Sequence, residues 1–254
     1  MKRSVDRIEL KRLEVECIIG VYPRERVQSQ PLVVHLTLQT DTREAGRGGG
    51  LSSTIDYSQI AGEVKFLLEA CRFELIEEAA EAIAAWLLSP GKVRKGQSRI
   101  NLVEVAIEKP AAMGGNALPT ITVRREPSDF DYECEDSGFG NVDIIYEIDA
   151  VGVYELRIAP GSAIPPHFHR EMTEAELILD QGLECQDEIL SAGLAHFWPK
   201  KLVHTYKNTT DIEASILCVD RPKFIRDDEV ETNSSLGDRH DAQPTRYFGE
   251  ETLA

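Results

Sequence analysis

Two groups of residues in this chain have types and spacings that could do chemistry. The first group consists of Glu25, Tyr57, Glu77 and Lys109, which stand where predicted helices and strands begin or end. Such positions tend to carry function, and carboxylates, phenols and amines can take part in acid–base chemistry. Taken singly, each has an ordinary alternative. Glu77 could complement a helix N-terminus, Tyr57 could be a half-buried aromatic, and Glu25 and Lys109 could be solvated surface charges.

The second group consists of His167, His169, Glu174 and His204. Two histidines spaced by two on a strand point to the same face. A glutamate and a third histidine from facing strands could complete a cage inside a barrel. Three imidazoles and a carboxylate suit Fe, Mn, Ni, Cu or Zn, so the group predicts a divalent transition-metal site. The alternative for each histidine is a place in the core or on the surface.

Apolar periodicity predicts the elements that must position the first group. Period-two spacing predicts strands over residues 8–19 and 31–40, with one slip near Leu13, and further strands over 100–107 and 120–123. Helical spacing predicts two helices, over residues 57–71 and 76–88, with Ser53, Thr54 and Asp56 as candidate caps of the first. The predicted order is therefore strand, strand, helix, helix, strand, strand over a domain of residues 1–126.

The second half of the chain has a different composition. Residues 1–126 carry a net charge of +1 and residues 127–254 a net charge of −17. This step predicts a boundary, with a polar linker over residues 127–141. Short apolar runs separated by turn residues then predict an all-β sandwich or barrel over 142–226, followed by an acidic tail over 227–254. The acidic balance speaks against nucleic-acid binding.

Composition also narrows the cellular setting. The five cysteines are scattered and odd in number, which predicts free thiols in a reducing compartment. Residues 1–16 lack an apolar run of signal-peptide length, and no stretch approaches the ~20 apolar residues of a membrane span. We therefore expect a cytoplasmic protein with no membrane partner.

Residues 4–126 resemble the dihydroneopterin aldolase family through four motifs that occur in order. They are Gly20-Val21 followed by Glu25-Arg26 and Gln30, then Thr54-Ile55-Asp56-Tyr57, then Leu75-Ile76-Glu77, and last Lys109-Pro110. The resemblance implies the α+β tunnelling fold, in which subunits join their sheets into a ring. Active sites then lie between neighbouring subunits, and we expect a homo-octamer or a homotetramer.

The same resemblance implies a retro-aldol cleavage of a reduced pterin that needs no cofactor or metal. Glu77, with Leu75 and Ile76 beside it, is the expected substrate-binding segment, because a carboxylate can accept the ring N–H and the exocyclic amine together. Lys109 is expected to relay protons through a bound water. Tyr57 is expected to help protonate the intermediate, reaching into the neighbouring subunit's site, and Glu25 to hold the side-chain hydroxyls.

Residues 143–226 resemble the cupin family. The carrying residues are Gly161, His167-Phe168-His169, Glu174 and Gly182 in one motif, and Gly193, Pro199, His204 and Asn208 in a second. The resemblance implies an all-β jelly-roll barrel with the metal ligands inside it. Lys201 replaces a glycine of the second motif. Glu176 competes with Glu174 for the carboxylate position, and a slipped strand would turn that carboxylate outward. His196 and His240 fall outside the motifs and are expected to be structural or surface residues.

Several functions remain open at this point. The first is a folate-pathway lyase with an accessory cupin domain. A sister family epimerises the same side chain with similar residues, which leaves dihydroneopterin triphosphate epimerase as an alternative. A third hypothesis is a sensor in which the cupin domain reads a ligand on an oligomeric hub. A fourth is a bifunctional enzyme in which the metal transforms the pterin or its two-carbon product.

Overall fold

The computed structural model describes residues 6–94, 100–232 and 244–249. The chain forms two compact units, Met1–Tyr132 and Glu133–Ala254. Within the described ranges, no helix is both long enough and apolar enough to cross a membrane.

The first unit is an antiparallel sheet of four strands against which two main helices pack. The strands lie side by side in chain order: β1 (Asp6–Cys17), β2 (Gln30–Thr40), β3 (Leu102–Glu108) and β4 (Thr120–Arg125). The helices are α1 (Tyr57–Cys71), α2 (Ile76–Leu88) and the short α3 (Pro90–Arg94). The predicted order of elements is confirmed. The structure adds α3 where Pro90 and Gly91 were expected to end helical structure.

Local chemistry explains the bounds of these elements. Asp56 caps α1 by accepting the backbone N–H groups of Ser58 and Gln59 at 2.9 and 3.1 Å. The helix ends at Arg72, whose φ of 50° is left-handed. The slip predicted near Leu13 is a bulge in β1, where the pairing with β2 shifts between Leu10 and Leu13.

The second unit consists of two antiparallel sheets that face each other across an apolar core. The five-stranded sheet runs in the order β11 (Glu188–Ile189), β10 (Leu183–Cys185), β13 (His204–Asn208), β8 (Ala163–His169), β15 (Glu229–Glu231). The seven-stranded sheet runs in the order β16 (Thr245–Arg246), β12 (Leu194–Trp198), β9 (Thr173–Ile178), β14 (Ala214–Arg221), β7 (Val151–Ile158), β6 (Gly140–Ile148), β5 (Glu133–Ser137). Ile164 and Tyr206 of the first sheet pack with Ile178, Trp198 and Ile216 of the second.

The structure departs from the sequence prediction at both ends of this unit. Strand β5 and the start of β6 lie inside the segment predicted as linker, and the two units divide between Tyr132 and Glu133. Residues predicted as a tail form β15 and β16, which pair with β8 and β12. Cysteines in the described residues are free, as predicted. His240 lies outside the described residues.

Candidate functional site

Glu25 and Lys109 meet in the first unit although they come from distant parts of the chain. Lys109, directly after β3, donates from Nζ to Glu25 Oε1 at 2.7 Å, and both side chains are almost fully buried. Gln30 Nε2 donates to the same oxygen at 3.3 Å and to the Ile19 carbonyl at 2.5 Å. The backbone N–H of Tyr22 donates to Glu25 Oε2 at 3.1 Å. The Glu25 carboxylate is therefore held by donors on both of its oxygens.

The backbone around Glu25 is shaped for this arrangement. A short 3-10 helix over Pro23–Arg26 turns the carboxylate back onto Gly20, whose φ is +135°. A Cβ at Gly20 would lie 2.2 Å from Glu25 Oε2. Only glycine combines this backbone conformation with such a close approach.

The electrostatics of the pair favour the charged carboxylate. Burial by itself would raise the pKa of Glu25, but the hydrogen bonds from Lys109, Tyr22 and Gln30 outweigh it and lower that pKa to about 2. Glu25 is consequently an ionised acceptor at neutral pH. An ammonium held against it can position a substrate hydroxyl or a water molecule.

Arg26 joins this loop to the turn that precedes α2. Its guanidinium donates to the carbonyls of Gly20 and Phe73 through Nη1, at 3.1 and 2.9 Å, and to the carbonyl of Arg72 through Nη2 at 2.7 Å. Gly20 N–H also donates to the Phe73 carbonyl at 3.2 Å. The Glu25 loop and the start of α2 are thereby fixed to each other. The sequence analysis did not assign Arg26 or Gln30 to the site. Both residues belong to the first family motif, and that position could have indicated a role in the site.

The other predicted site residues of the first unit are exposed or half-buried on this chain. Tyr57 opens α1 and is 61% exposed, and Leu75 is 45% exposed. Ile76 is half-buried and Glu77 is exposed. The cap of α2 is made by Glu78, whose Oε2 accepts the N–H groups of Glu74 and Leu75 at 3.1 Å each. Glu77 is therefore not used by the cap, although it lies in the first turn of α2, where a carboxylate also complements the helix dipole.

The second group converges at one point inside the second unit. Glu174 Oε2 lies 2.8 Å from Nε2 of both His169 and His204 and 3.8 Å from Nε2 of His167. Candidate ligand atoms of all four buried residues lie within 4.8 Å of one another. Strand pairing explains the convergence, because β13 sets His204 directly opposite His167 on β8.

These atoms fit a metal ion better than they fit one another. Among the described residues, Glu174 Oε2, His169 Nε2 and His204 Nε2 are buried and lie as close as 2.8 Å to one another, yet none of these atoms makes a hydrogen bond of acceptable geometry. Burial would raise the pKa of Glu174, but His204 and the other two histidines lower it well below its usual range, so the carboxylate is charged. Three convergent imidazole nitrogens and one carboxylate oxygen form a donor set for a divalent transition metal.

An aromatic stack supports the cluster from one side. Trp198 stacks on His204 with ring centroids 4.6 Å apart, and His196 also stacks on Trp198, with centroids 5.1 Å apart. Trp198 Nε1 donates to Glu176 Oε2 at 2.5 Å and to Tyr206 Oη at 3.2 Å. Burial and the nearby His204 lower the pKa of His196 to about 4, so His196 is neutral. His196 is structural, as expected.

Lys201, which replaces the motif glycine, has a φ of 68° in the turn before β13. Its N–H donates to the His169 carbonyl at 2.6 Å. A non-glycine residue in the left-handed region is uncommon, and here the turn retains the shape that a glycine would give it. This departure from the motif therefore leaves the cluster intact.

Comparison with known proteins indicates the family of the first unit. Residues 8–125 match the family model described as FolB, dihydroneopterin aldolase. The dihydroneopterin aldolase of Streptomyces coelicolor is 34% identical over 42% of this chain and 85% of its own. A crystal structure of the Escherichia coli enzyme in complex with neopterin is 29% identical over 47% of this chain and 98% of its own, with a TM-score of 0.42. Oxalate decarboxylase from Bacillus subtilis shares 14% identity over 40% of this chain and 30% of its own, with a TM-score of 0.35, a level that assigns no activity. The chain thus belongs to the dihydroneopterin aldolase family, and its first unit is a lyase of folate synthesis.

Proposed function

We propose that the first unit cleaves 7,8-dihydroneopterin into 6-hydroxymethyl-7,8-dihydropterin and glycolaldehyde. The observation that carries this proposal is the 2.7 Å contact between Lys109 Nζ and Glu25 Oε1 in a chain of this family. It supports a site in which a fixed carboxylate holds both the lysine and the hydroxyls of the substrate side chain.

The cleavage moves one proton and one pair of electrons along the side chain. Lys109 takes the proton of the 2′ hydroxyl through a bound water, a step that starts from the neutral amine and not from the ammonium that pairs with Glu25. The bond between C1′ and C2′ then breaks, glycolaldehyde leaves, and the electron pair enters the C=N bond of the pterin ring. Protonation at C1′, assisted by Tyr57, gives the hydroxymethyl product. The ring itself accepts the electrons, so this step calls for no cofactor.

The exposed residues of the first group fit a site completed by a second subunit. Glu77 would accept the pterin N–H groups, with Leu75 and Ile76 beside the ring, and Tyr57 would project into the site of the neighbour. Strands β1 and β4 are the edges of the four-stranded sheet, and ring closure between subunits would pair such edges. We propose a homo-octamer or a homotetramer, and light scattering that shows a monomer at micromolar concentration would contradict it.

A turnover assay with 7,8-dihydroneopterin tests the reaction, with products separated chromatographically. We expect glycolaldehyde and the hydroxymethyl pterin in equal amounts. Lys109→Ala should lower kcat far more than pterin affinity, whereas Glu77→Ala should mainly weaken binding because it removes the bidentate anchor. Formation of the side-chain epimer alone would establish the epimerase alternative instead.

For the second unit, we propose a cupin-type metal centre with His167, His169, Glu174 and His204 as ligands. The support is the convergence of their buried donor atoms. A bound divalent ion would supply Lewis-acid or redox chemistry to a ligand in the barrel, while the four side chains hold it. Elemental analysis of protein purified without added metal tests this centre. Fully folded protein that contains no transition metal would refute it.

The accessory role and the bifunctional role of this unit differ in one measurable way. If the metal only serves a separate function, the lyase rate is independent of metal content. If the metal transforms the pterin or glycolaldehyde, chelation changes the products. A sensor role predicts ligand binding to the second unit with no turnover.

A further inference from the structure

We propose that Asp228 is the outer partner of the metal ligand His169 and positions that ligand for metal binding. The inference rests on the proposed metal centre. It concerns a residue from the segment that the sequence predicted as an acidic tail.

The three histidines of the cluster differ in how their second ring nitrogen is held. His167 Nδ1 lies 2.8 Å from the Pro165 carbonyl, and His204 Nδ1 lies 3.2 Å from the Leu202 carbonyl. Each contact allows Nδ1 to carry the proton and leaves Nε2 for a metal. His169 Nδ1 has no hydrogen-bond partner among the described residues. Asp228 Oδ2 lies 3.9 Å from this nitrogen, which is longer than a hydrogen bond and within the range of an ion pair.

The Asp228 carboxylate is buried and accepts backbone hydrogen bonds on both of its oxygens. It is 5% exposed, and its Oδ1 accepts the N–H groups of Arg170 and Glu171 at 3.0 Å each. Its Oδ2 accepts the N–H groups of Glu171 and Met172 at 2.9 and 2.8 Å. These residues form the connection between β8, which carries His169, and β9, which carries Glu174. One carboxylate therefore sets the geometry of the loop between two proposed ligands.

The strand that follows Asp228 lies along the ligand strand. In the pairing of β15 with β8, Glu229 is opposite His169 and Glu231 is opposite His167. The N–H of Thr232 continues the pairing by donating to the Pro166 carbonyl at 2.9 Å. The segment over residues 228–232 thus contacts the whole stretch that supplies two of the three imidazoles.

A carboxylate that accepts the Nδ1 proton of a ligand histidine has a known physical effect, and closing the 3.9 Å gap by about 1 Å would let Asp228 accept it. It favours the tautomer with the proton on Nδ1, orients the ring and makes Nε2 a stronger donor to the metal. A carboxylate that only capped the loop could change metal affinity through the shape of the loop, but it would hold no proton on His169 Nδ1. The two roles therefore differ in whether the metal-loaded protein carries a protected proton on that nitrogen.

The test compares Asp228→Asn with Asp180→Asn in the full chain. Asp180 also accepts a backbone N–H, from Ser215 at 2.8 Å, but it lies six residues from Glu174 along the chain, roughly 20 Å for an extended strand. Co²⁺ is the probe, and its dissociation constant is measured by chelator competition alongside the melting temperature of the metal-free protein. We expect Asp228→Asn to weaken Co²⁺ binding about 10- to 100-fold and Asp180→Asn to leave it at the wild-type value.

Two results would overturn the proposal. The first is equal Co²⁺ affinity in wild type and Asp228→Asn, whatever the melting temperature does. The second uses only the wild type and so applies even if Asp228→Asn does not fold. In the Zn²⁺-loaded protein, ¹⁵N NMR should detect a slowly exchanging proton on His169 Nδ1. The absence of that proton would refute the contact with Asp228. If the wild type binds no Co²⁺ at all, the metal centre itself is wrong and the role of Asp228 falls with it.

Discussion

Replacing Gly20 with alanine should disturb the Glu25–Lys109 pair without altering either of its two side chains. The new Cβ would lie 2.2 Å from Oε2 and 2.7 Å from Oε1 of Glu25. Ordinary van der Waals contact begins near 3.4 Å, so the carboxylate must move by about 1.2 Å. A displacement of that size is enough to disrupt the 2.7 Å hydrogen bond from Lys109.

Two magnitudes follow from this geometry. Misplacing a catalytic group by about 1 Å can lower the rate about 10²-fold, so we expect kcat to fall by about that factor. The φ of +135° at Gly20 adds backbone strain, which costs about 1–3 kcal/mol for a residue with a side chain. In a unit of this size that corresponds to a melting temperature lower by roughly 3–15 °C.

The assay is steady-state turnover of 7,8-dihydroneopterin together with thermal unfolding, and Gly46→Ala is the matched control. A Cβ at Gly46 would meet nothing within 4 Å, and its backbone lies outside the left-handed region. Gly46→Ala should keep the wild-type rate and melting temperature. The reasoning is refuted if Gly20→Ala also keeps both, or if the two variants lose activity equally.

Further predictions concern charge and metal. The lowered pKa of Glu25, about 2 against a usual 4.5, means that its contribution to stability is present above pH 4.5 and is lost as the pH falls toward 2. The stability difference between wild type and Glu25→Gln, measured by denaturant titration, should therefore shrink across that window. Chelation should remove about one metal ion per chain and lower the melting temperature of the second unit, while the retro-aldol rate stays nearly unchanged. A rate that falls with the metal content would show that the chemistry of the two units is coupled. Elemental analysis should find the metal lost in Glu174→Gln and kept in Glu176→Gln. Lys92→Met should lower the unfolding free energy by about 3 kcal/mol, because it leaves the fully buried Glu63 without the ammonium that lies 2.5 Å away. A change near zero in calorimetry would mean that the hydrogen bonds from Trp86 and Gln59 are enough to stabilise the buried carboxylate.

The elements of the first unit could be predicted because their signals are local. Asp56 sits directly before α1 and caps it, and the apolar residues of α1 and α2 recur at helical spacing. The slip near Leu13 marked a real bulge. What the sequence could not show is the contact between Glu25 and Lys109, because 84 residues separate them. The pairing of β2 with β3 brings the loop before β2 next to the end of β3.

The second unit was harder to predict for the same physical reason. Strand β8 contains Pro165 and Pro166, which are unfavourable in most strands, so no apolar run marked it, and only the spacing of His167 and His169 suggested a strand. Asp228 lies in a polar stretch that resembles a disordered tail in composition. Its burial depends on N–H groups near residue 171, which no local pattern reveals.

The choice between Glu174 and Glu176 shows what strand register can and cannot decide. The two residues are two apart on β9, so both point to the same face, and both are buried. A slip of one residue would turn both outward, but alternation alone cannot distinguish them. Their partners can: Trp198 donates to Glu176, while Glu174 faces the three histidines.

Charge coupling reinforces that division. Burial and the neighbouring Glu174 raise the pKa of Glu176, and the same two causes raise the pKa of Asp220 well above its usual range. The direction of the shift therefore separates the three carboxylates, because the pKa falls for Glu174, which contacts the imidazoles, and rises for Glu176 and Asp220. Of these three, Glu174 is consequently the one that most favours its charged form, and a divalent ion held by the three histidines would meet that charge. This ordering supports Glu174 over Glu176 as the carboxylate of the proposed donor set.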